Sequence, residues 1–180
     1  MAGRAFPVVA PALKIGEEPR HGLIRIQADA WATHTRADIE ATLQLQLPLA
    51  ESFTANGDVR LAWSGPNEWL AFCSIQDEAS IVHSLRERFA EKFATVTLIS
   101  DSRVGFSVAG PDAASFICKG CAIDVEADYF SSGTAVTTRF AGLPAMLVCR
   151  EVSDYVLYFD VSMTGFVLDW LLDAVEEFRS

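Results

Sequence analysis

Basic residues are scarce in this chain: 14 lysines and arginines stand against 24 aspartates and glutamates, a formal net charge of −10. Gripping a phosphate backbone depends on cations that neutralise phosphates, so nucleic acid and anionic membranes are not expected as partners. Long uninterrupted apolar runs are also missing. The richest stretch, residues 155–175, is broken by Asp160 and Asp169 and falls short of the about 18 apolar residues that a membrane span requires. Pro7 and Pro11 interrupt the apolar residues near the N-terminus, so no secretory leader is expected and a soluble, cytoplasmic protein is. Histidine is rare and dispersed: His21, His34 and His83 form no cluster. There is no G-x-S-x-G elbow, G-x-G-x-x-G turn or G-x-x-x-x-G-K loop, which argues against a nucleophile-elbow hydrolase and against nucleotide binding.

Apolar material is abundant. Half the residues are hydrophobic (51%) and mean hydropathy is +0.23, high for a soluble monomer, which predicts an obligate partner interface. A single body is expected over residues 21–180, preceded by an extended, proline-interrupted arm over 1–20 that lies along a partner. Alternation in GLIRIQADA predicts a strand. Thr35 as N-cap, followed by Ile39, Leu43 and Leu47 at four-residue spacing, predicts a short helix ending before Pro48. NGDVRLAWSGPNEWLAFCSI reads as a hairpin about Gly65-Pro66. Asp77 caps a helix with Ile81, Leu85, Phe89 and Phe93 along one face. The second half repeats the layout. Two strands (ATVTLISDSRVGFSVAGP) lead to a short helix ending at Gly120, then three strands, then the amphipathic helix VLDWLLDAVEEF. A pseudo-duplication with halves of about 21–95 and 96–180 follows, and the interleaving of hairpins and helices predicts an α+β fold with mainly antiparallel sheets.

Two motifs invite chemistry. Cys118-Lys119-Gly120-Cys121 has C-x-x-C spacing, but Cys73 and Cys149 sit singly in apolar strands and supply no second ligand pair. The motif also closes a helix, where the macrodipole disfavours a thiolate. The structural alternative places Cys118 in the core with Gly120 as a left-handed cap. Asp101-Ser102-Arg103 precedes a strand and reads as a turn in which Asp101 accepts backbone N–H groups and Arg103 makes a surface or subunit ion pair.

Taken in order, VRLAWSGPNEWLAF, ISDSRVGFSVAGPDAASFICKGCAIDV, SGTAVTTRFAGLPAMLVCRE and DYVLYFDVSMTGFVLDWLLDAVEEF resemble the gamma subunit family of heterotetrameric sarcosine oxidase, over roughly residues 20–180. The resemblance implies a fold similar to the folate-binding domain of the glycine cleavage T-protein, with duplicated β-α-β units. It also implies a non-catalytic role beside alpha, beta and delta subunits, in an assembly that oxidatively demethylates sarcosine to glycine and passes the one-carbon unit to tetrahydrofolate. FAD, FMN, NAD and tetrahydrofolate would belong to that assembly, with no cofactor, metal or catalytic residue on this chain. Motif or interface candidates are Asp101, Arg103, Lys119, Cys121 and Asp124. A folate-dependent iron-sulfur maintenance protein of similar fold carries K-G-C-Y-x-G-Q-E, whereas here Lys119-Gly120-Cys121 continues as Ala122-Ile123-Asp124-Val125, which speaks against a thiol role for Cys121. The alternative is a stand-alone folate-binding protein or an aminomethyltransferase-like enzyme, although such enzymes are about twice as long.

Overall fold

The computed structural model describes residues 6–29, 31–125 and 130–179. In chain order the strands and helices are β1 (Val8–Ala10), β2 (Leu13–Glu17), β3 (Gly22–Ala28), α1 (Thr33–Leu43), β4 (Phe53–Asn56), β5 (Val59–Gly65), β6 (Glu68–Cys73), α2 (Glu78–Arg88) and β7 (Ala94–Leu98). Then follow β8 (Arg103–Ala109), α3 (Ala113–Gly120), β9 (Ala135–Phe140), β10 (Leu143–Glu151), β11 (Asp154–Asp160) and α4 (Thr164–Ala174), which runs on into a 3-10 turn, Val175–Phe178. They form two units: Arg20–Asp101, and the N-terminal residues to Pro19 together with Ser102 onward.

In the Arg20–Asp101 unit the sheet order is β4-β5-β6-β3-β7, antiparallel throughout. β3 is interior to this sheet, and its Leu23, Ile24, Ile26 and Ala28 are all buried. α1 contributes Ile39 and Leu43, and α2 contributes Val82 and Leu85, to the same core. α1 differs from its expected limits. Thr35 is buried inside the helix, and the helix ends at Leu43 because Gln44 turns left-handed (φ 53°). Leu47 is still buried beyond that end, its N–H donated to Glu40 Oε1 at 2.9 Å. Along α2 the four-residue period also stops early. The helix ends at Arg88, Phe89 closes the core, and Phe93 lies outside it fully solvated.

The other unit has the order β1-β2-β8-β11-β10-β9, again antiparallel. Its core gathers Phe106, Phe116, Phe140, Leu157, Phe159 and Leu171. The segment expected as an extended arm is instead β1 and β2, with Val8, Ala10, Leu13 and Ile15 buried. The prolines delimit these strands without interrupting their alternation: Pro7 precedes β1, and Pro11 sits in the turn before β2.

The two sheets repeat one topology. In the first unit β3-α1-β4-β5-β6-α2 is followed by β7, which pairs with β3. In the second, β8-α3-β9-β10-β11-α4 has the same order, and β2 from the N-terminus takes the position of β7 by pairing with β8. The junction of β8 and α3 explains the Ala109-Gly110-Pro111 motif. Gly110 has φ +121°, and a Cβ there would lie 2.4 Å from the Ala12 carbonyl oxygen in the β1–β2 turn, so only glycine fits.

Candidate functional site

The Lys119-Gly120-Cys121 segment is the last turn of α3 and its exit. Its residues are held by the end of α4 and by β9. Lys119 Nζ donates to the Ala174 carbonyl at 3.0 Å, pairs with Glu177 Oε1 at 2.8 Å and lies 5.5 Å from the Phe178 ring centre. It thereby satisfies a carbonyl in the last turn of α4, where a cation also suits the helix dipole. Gly120 is not a left-handed cap. It needs to be glycine because an added Cβ would lie 2.7 Å from Phe140 Cζ and 2.9 Å from Trp170 Cη2. Phe140 and Trp170 meet edge to face at 4.7 Å, and Phe116 adds contacts to Trp170 at 6.0 Å and Phe178 at 5.6 Å.

The C-x-x-C thiols are dealt with separately. Cys118 is exposed, against the expectation that it faces the core, because the α3 core face is taken by Ala113, Phe116 and Ile117. Cys121 is the buried one. Its backbone bridges to Phe140, and its Sγ lies 3.8 Å from Thr138 Oγ1. All four cysteines are free, and among the described residues no three His, Cys, Asp or Glu side chains gather as a metal site. Asp124, exposed, follows this turn.

Asp101 and Arg103 fall on different units. Asp101 pairs with Arg20 on the surface of the first. Arg103 opens β8 opposite Asp160. There the Ser162 hydroxyl and N–H bond Asp160 and, with the Arg103 charge, hold its carboxyl below the usual range. Asp160 thus caps the turn that leads into α4. Within its unit, Arg103 stands opposite Asp160, while Lys119 and Cys121 are held by α4 and β9.

Sequence reading missed a charge that joins two carboxylates. Arg150, on β10, donates from Nε and Nη2 to Asp154 at 3.1 and 2.8 Å, and from Nη1 to Glu18 Oε1 at 2.7 Å. Glu18 is buried. Burial works against the Arg150 charge, but the Asp154 hydrogen bonds and the two carboxylates outweigh it and raise the guanidinium's pKa. The network fastens the end of the N-terminal segment to the β10–β11 hairpin. An arginine ending the apolar run AMLVC is the one sequence signal of it.

The Cys73 and Cys149 thiols are pushed towards their protonated form. Burial, with Glu78 and Asp77 nearby, raises Cys73 from 9.0 to about 11, and burial with Asp154 raises Cys149. The unfolded chain releases the Cys73 proton first, so stability present below about pH 9 is expected to fall as pH rises towards about 11. Denaturant titrations across that window should show a shallower decline for Cys73→Ala. An identical decline in both proteins refutes the assignment.

Two repeated antiparallel α+β units define the class by fold, a duplicated scaffold of the aminomethyltransferase type. Its fold matches the glycine cleavage system aminomethyltransferase T from Bartonella henselae with TM-score 0.63 at 11% identity, over 91% of this chain and 46% of that one. Within that class the chain belongs to the sarcosine oxidase gamma subunit family, whose model matches residues 27–177. It is 28% identical over 147 residues to sarcosine oxidase subunit gamma of Corynebacterium sp. (strain U-96), covering 80% of this chain and 70% of that protein. Its fold also matches a chain of the heterotetrameric sarcosine oxidase from Corynebacterium sp. U-96, with TM-score 0.87 at 23% identity, over 96% of this chain and 88% of that one.

Proposed function

We propose that this chain is a non-catalytic gamma subunit of a heterotetrameric sarcosine oxidase, supporting an assembly that oxidatively demethylates sarcosine to glycine. The observation that carries this reading is the family match across residues 27–177. The local chemistry agrees with it: Lys119 caps α4, Gly120 packs under two rings, and the raised Cys73 and Cys149 thiols stay protonated at neutral pH. In this reading alpha, beta and delta subunits are the partners, and the assembly works in the cytoplasm. FAD, FMN and NAD reside on the other chains, and the one-carbon unit passes to tetrahydrofolate there. No helix among the described residues is long and apolar enough to cross a membrane.

Co-expression with the other subunits tests the reading. The chain is expected to co-purify stoichiometrically in a sarcosine-oxidising complex that carries flavin absorbance, while the isolated chain is colourless. An isolated chain that ignores those subunits, and that binds tetrahydrofolate at micromolar concentration by calorimetry, would favour a stand-alone folate protein instead.

A further inference from the structure

The Arg20–Asp101 unit exposes two large aromatic side chains at one end of its sheet. β3 and β7 pair Ala28 with Ala94, so Asp29 and Phe93 leave the ladder together. Gln27 pairs with Glu68 across β3 and β6, which brings the Pro66-Asn67 turn to the same end. Asp29, Pro66, Asn67 and Phe93 line one open cleft of about 720 Å³. Trp31 follows Asp29 in sequence, its backbone N–H donated to Asp29 Oδ1 at 2.9 Å. Trp31 is 90% exposed and Phe93 101% exposed.

The cleft is also lined by two carboxylates, Asp29 and Glu68, whose hydrogen-bond donors among the described residues are neutral. Thr95 Oγ1 donates to Gln27 Oε1 at 3.0 Å, Gln27 Nε2 to Glu68 Oε2 at 2.8 Å and Ser64 Oγ to Glu68 Oε1 at 3.0 Å. These donors are neutral, so they orient the Glu68 carboxylate and leave its charge in place. The one cation lining the cleft among the described residues, Lys92, shares the Asp38 carboxylate with Arg88.

Resting on the assignment to an assembly, we propose that this cleft seats a partner subunit through an arginine-bearing apolar segment. Trp31 and Phe93 flank the guanidinium, and Asp29 and Glu68 receive it. Arginine suits the site because its planar group stacks on rings while its N–H fork bonds carboxylates. Tryptophan and arginine are also the residues that most often dominate interface energies. A second copy of this chain fits poorly, since it would bring another net charge of −10 towards the same carboxylates.

The test uses the full chain with the other subunits of the complex. Trp31→Ala/Phe93→Ala is expected to weaken association by about 30-fold or more, as hot-spot truncation does. Its unfolding midpoint should match that of the wild type, because both rings are solvated. Asp29→Asn/Glu68→Gln is expected to flatten the loss of affinity with added salt. The proposal is overturned if the aromatic variant associates as the wild type does, if the carboxylate variant keeps the full salt dependence, or if the patch instead mediates self-association. A wild-type chain that never joins the complex would refute the assignment to the assembly, a distinguishable result.

Discussion

Arg150→Ala is expected to destabilise the chain by about 3–5 kcal/mol, the range for breaking a buried ion pair from one side. The loss has two parts. Asp154 forfeits a two-pronged hydrogen bond across the β10–β11 hairpin, and the buried Glu18 loses the guanidinium now 2.7 Å away. The second part is the larger, because Glu18 is more deeply buried than Asp154 and loses a charged donor there. Glu18→Gln in the Arg150→Ala background should therefore recover part of the stability, measured by urea unfolding. A double variant no more stable than the single one would sink this account of the Glu18 charge. Because Glu18 follows β2, the single variant should also loosen that strand, read as faster amide exchange along Leu13–Glu17 than along β10.

The second large effect sits under the Lys119-Gly120-Cys121 turn. Phe140→Ala is expected to cost about 3–5 kcal/mol, since it deletes a buried ring packed on Trp170 and Phe159. Gly120→Ala should cost about 1–3 kcal/mol by overpacking, because its new methyl must displace Phe140 and Trp170. The two effects should not add. Once the Phe140 ring is gone, the alanine methyl at position 120 gains room, so the double variant should be more stable than the sum of the single costs implies. Strict additivity in thermal or urea unfolding would show that Gly120 is required for another reason. This pair replaces the left-handed cap expected at Gly120 with a steric explanation of the same glycine.

Much of the layout was legible in the chain. β5 and β6 read as a hairpin because Val59, Leu61 and Trp63 alternate up to a Gly-Pro turn, and β9 to β11 read as a meander because short turn signals separate apolar strands. The N-terminal strands were obscured by their prolines. β1 has three residues and β2 five, and each gains stability only from neighbours distant in sequence, so local pattern is a poor guide to them. Phe93 was placed on the α2 face because periodicity does not report where a helix stops. That stop leaves the ring in water.

The sequence alone determined the antiparallel α+β class, most of the helices and strands, and a family resemblance carried by motifs in register. These features depend on local alternation, turn chemistry and residue order. Tertiary structure alone decided that β2 takes the place that β7 holds in the other unit, that Cys121 rather than Cys118 is buried, and that Arg150 joins Glu18 to Asp154. It also separated Asp101 from Arg103 onto different units and gathered Asp29, Glu68 and Phe93 around one cleft. Each of these depends on which distant segments meet, and pairing between residues 132 positions apart, as in Glu18 and Arg150, leaves no periodic trace in the chain.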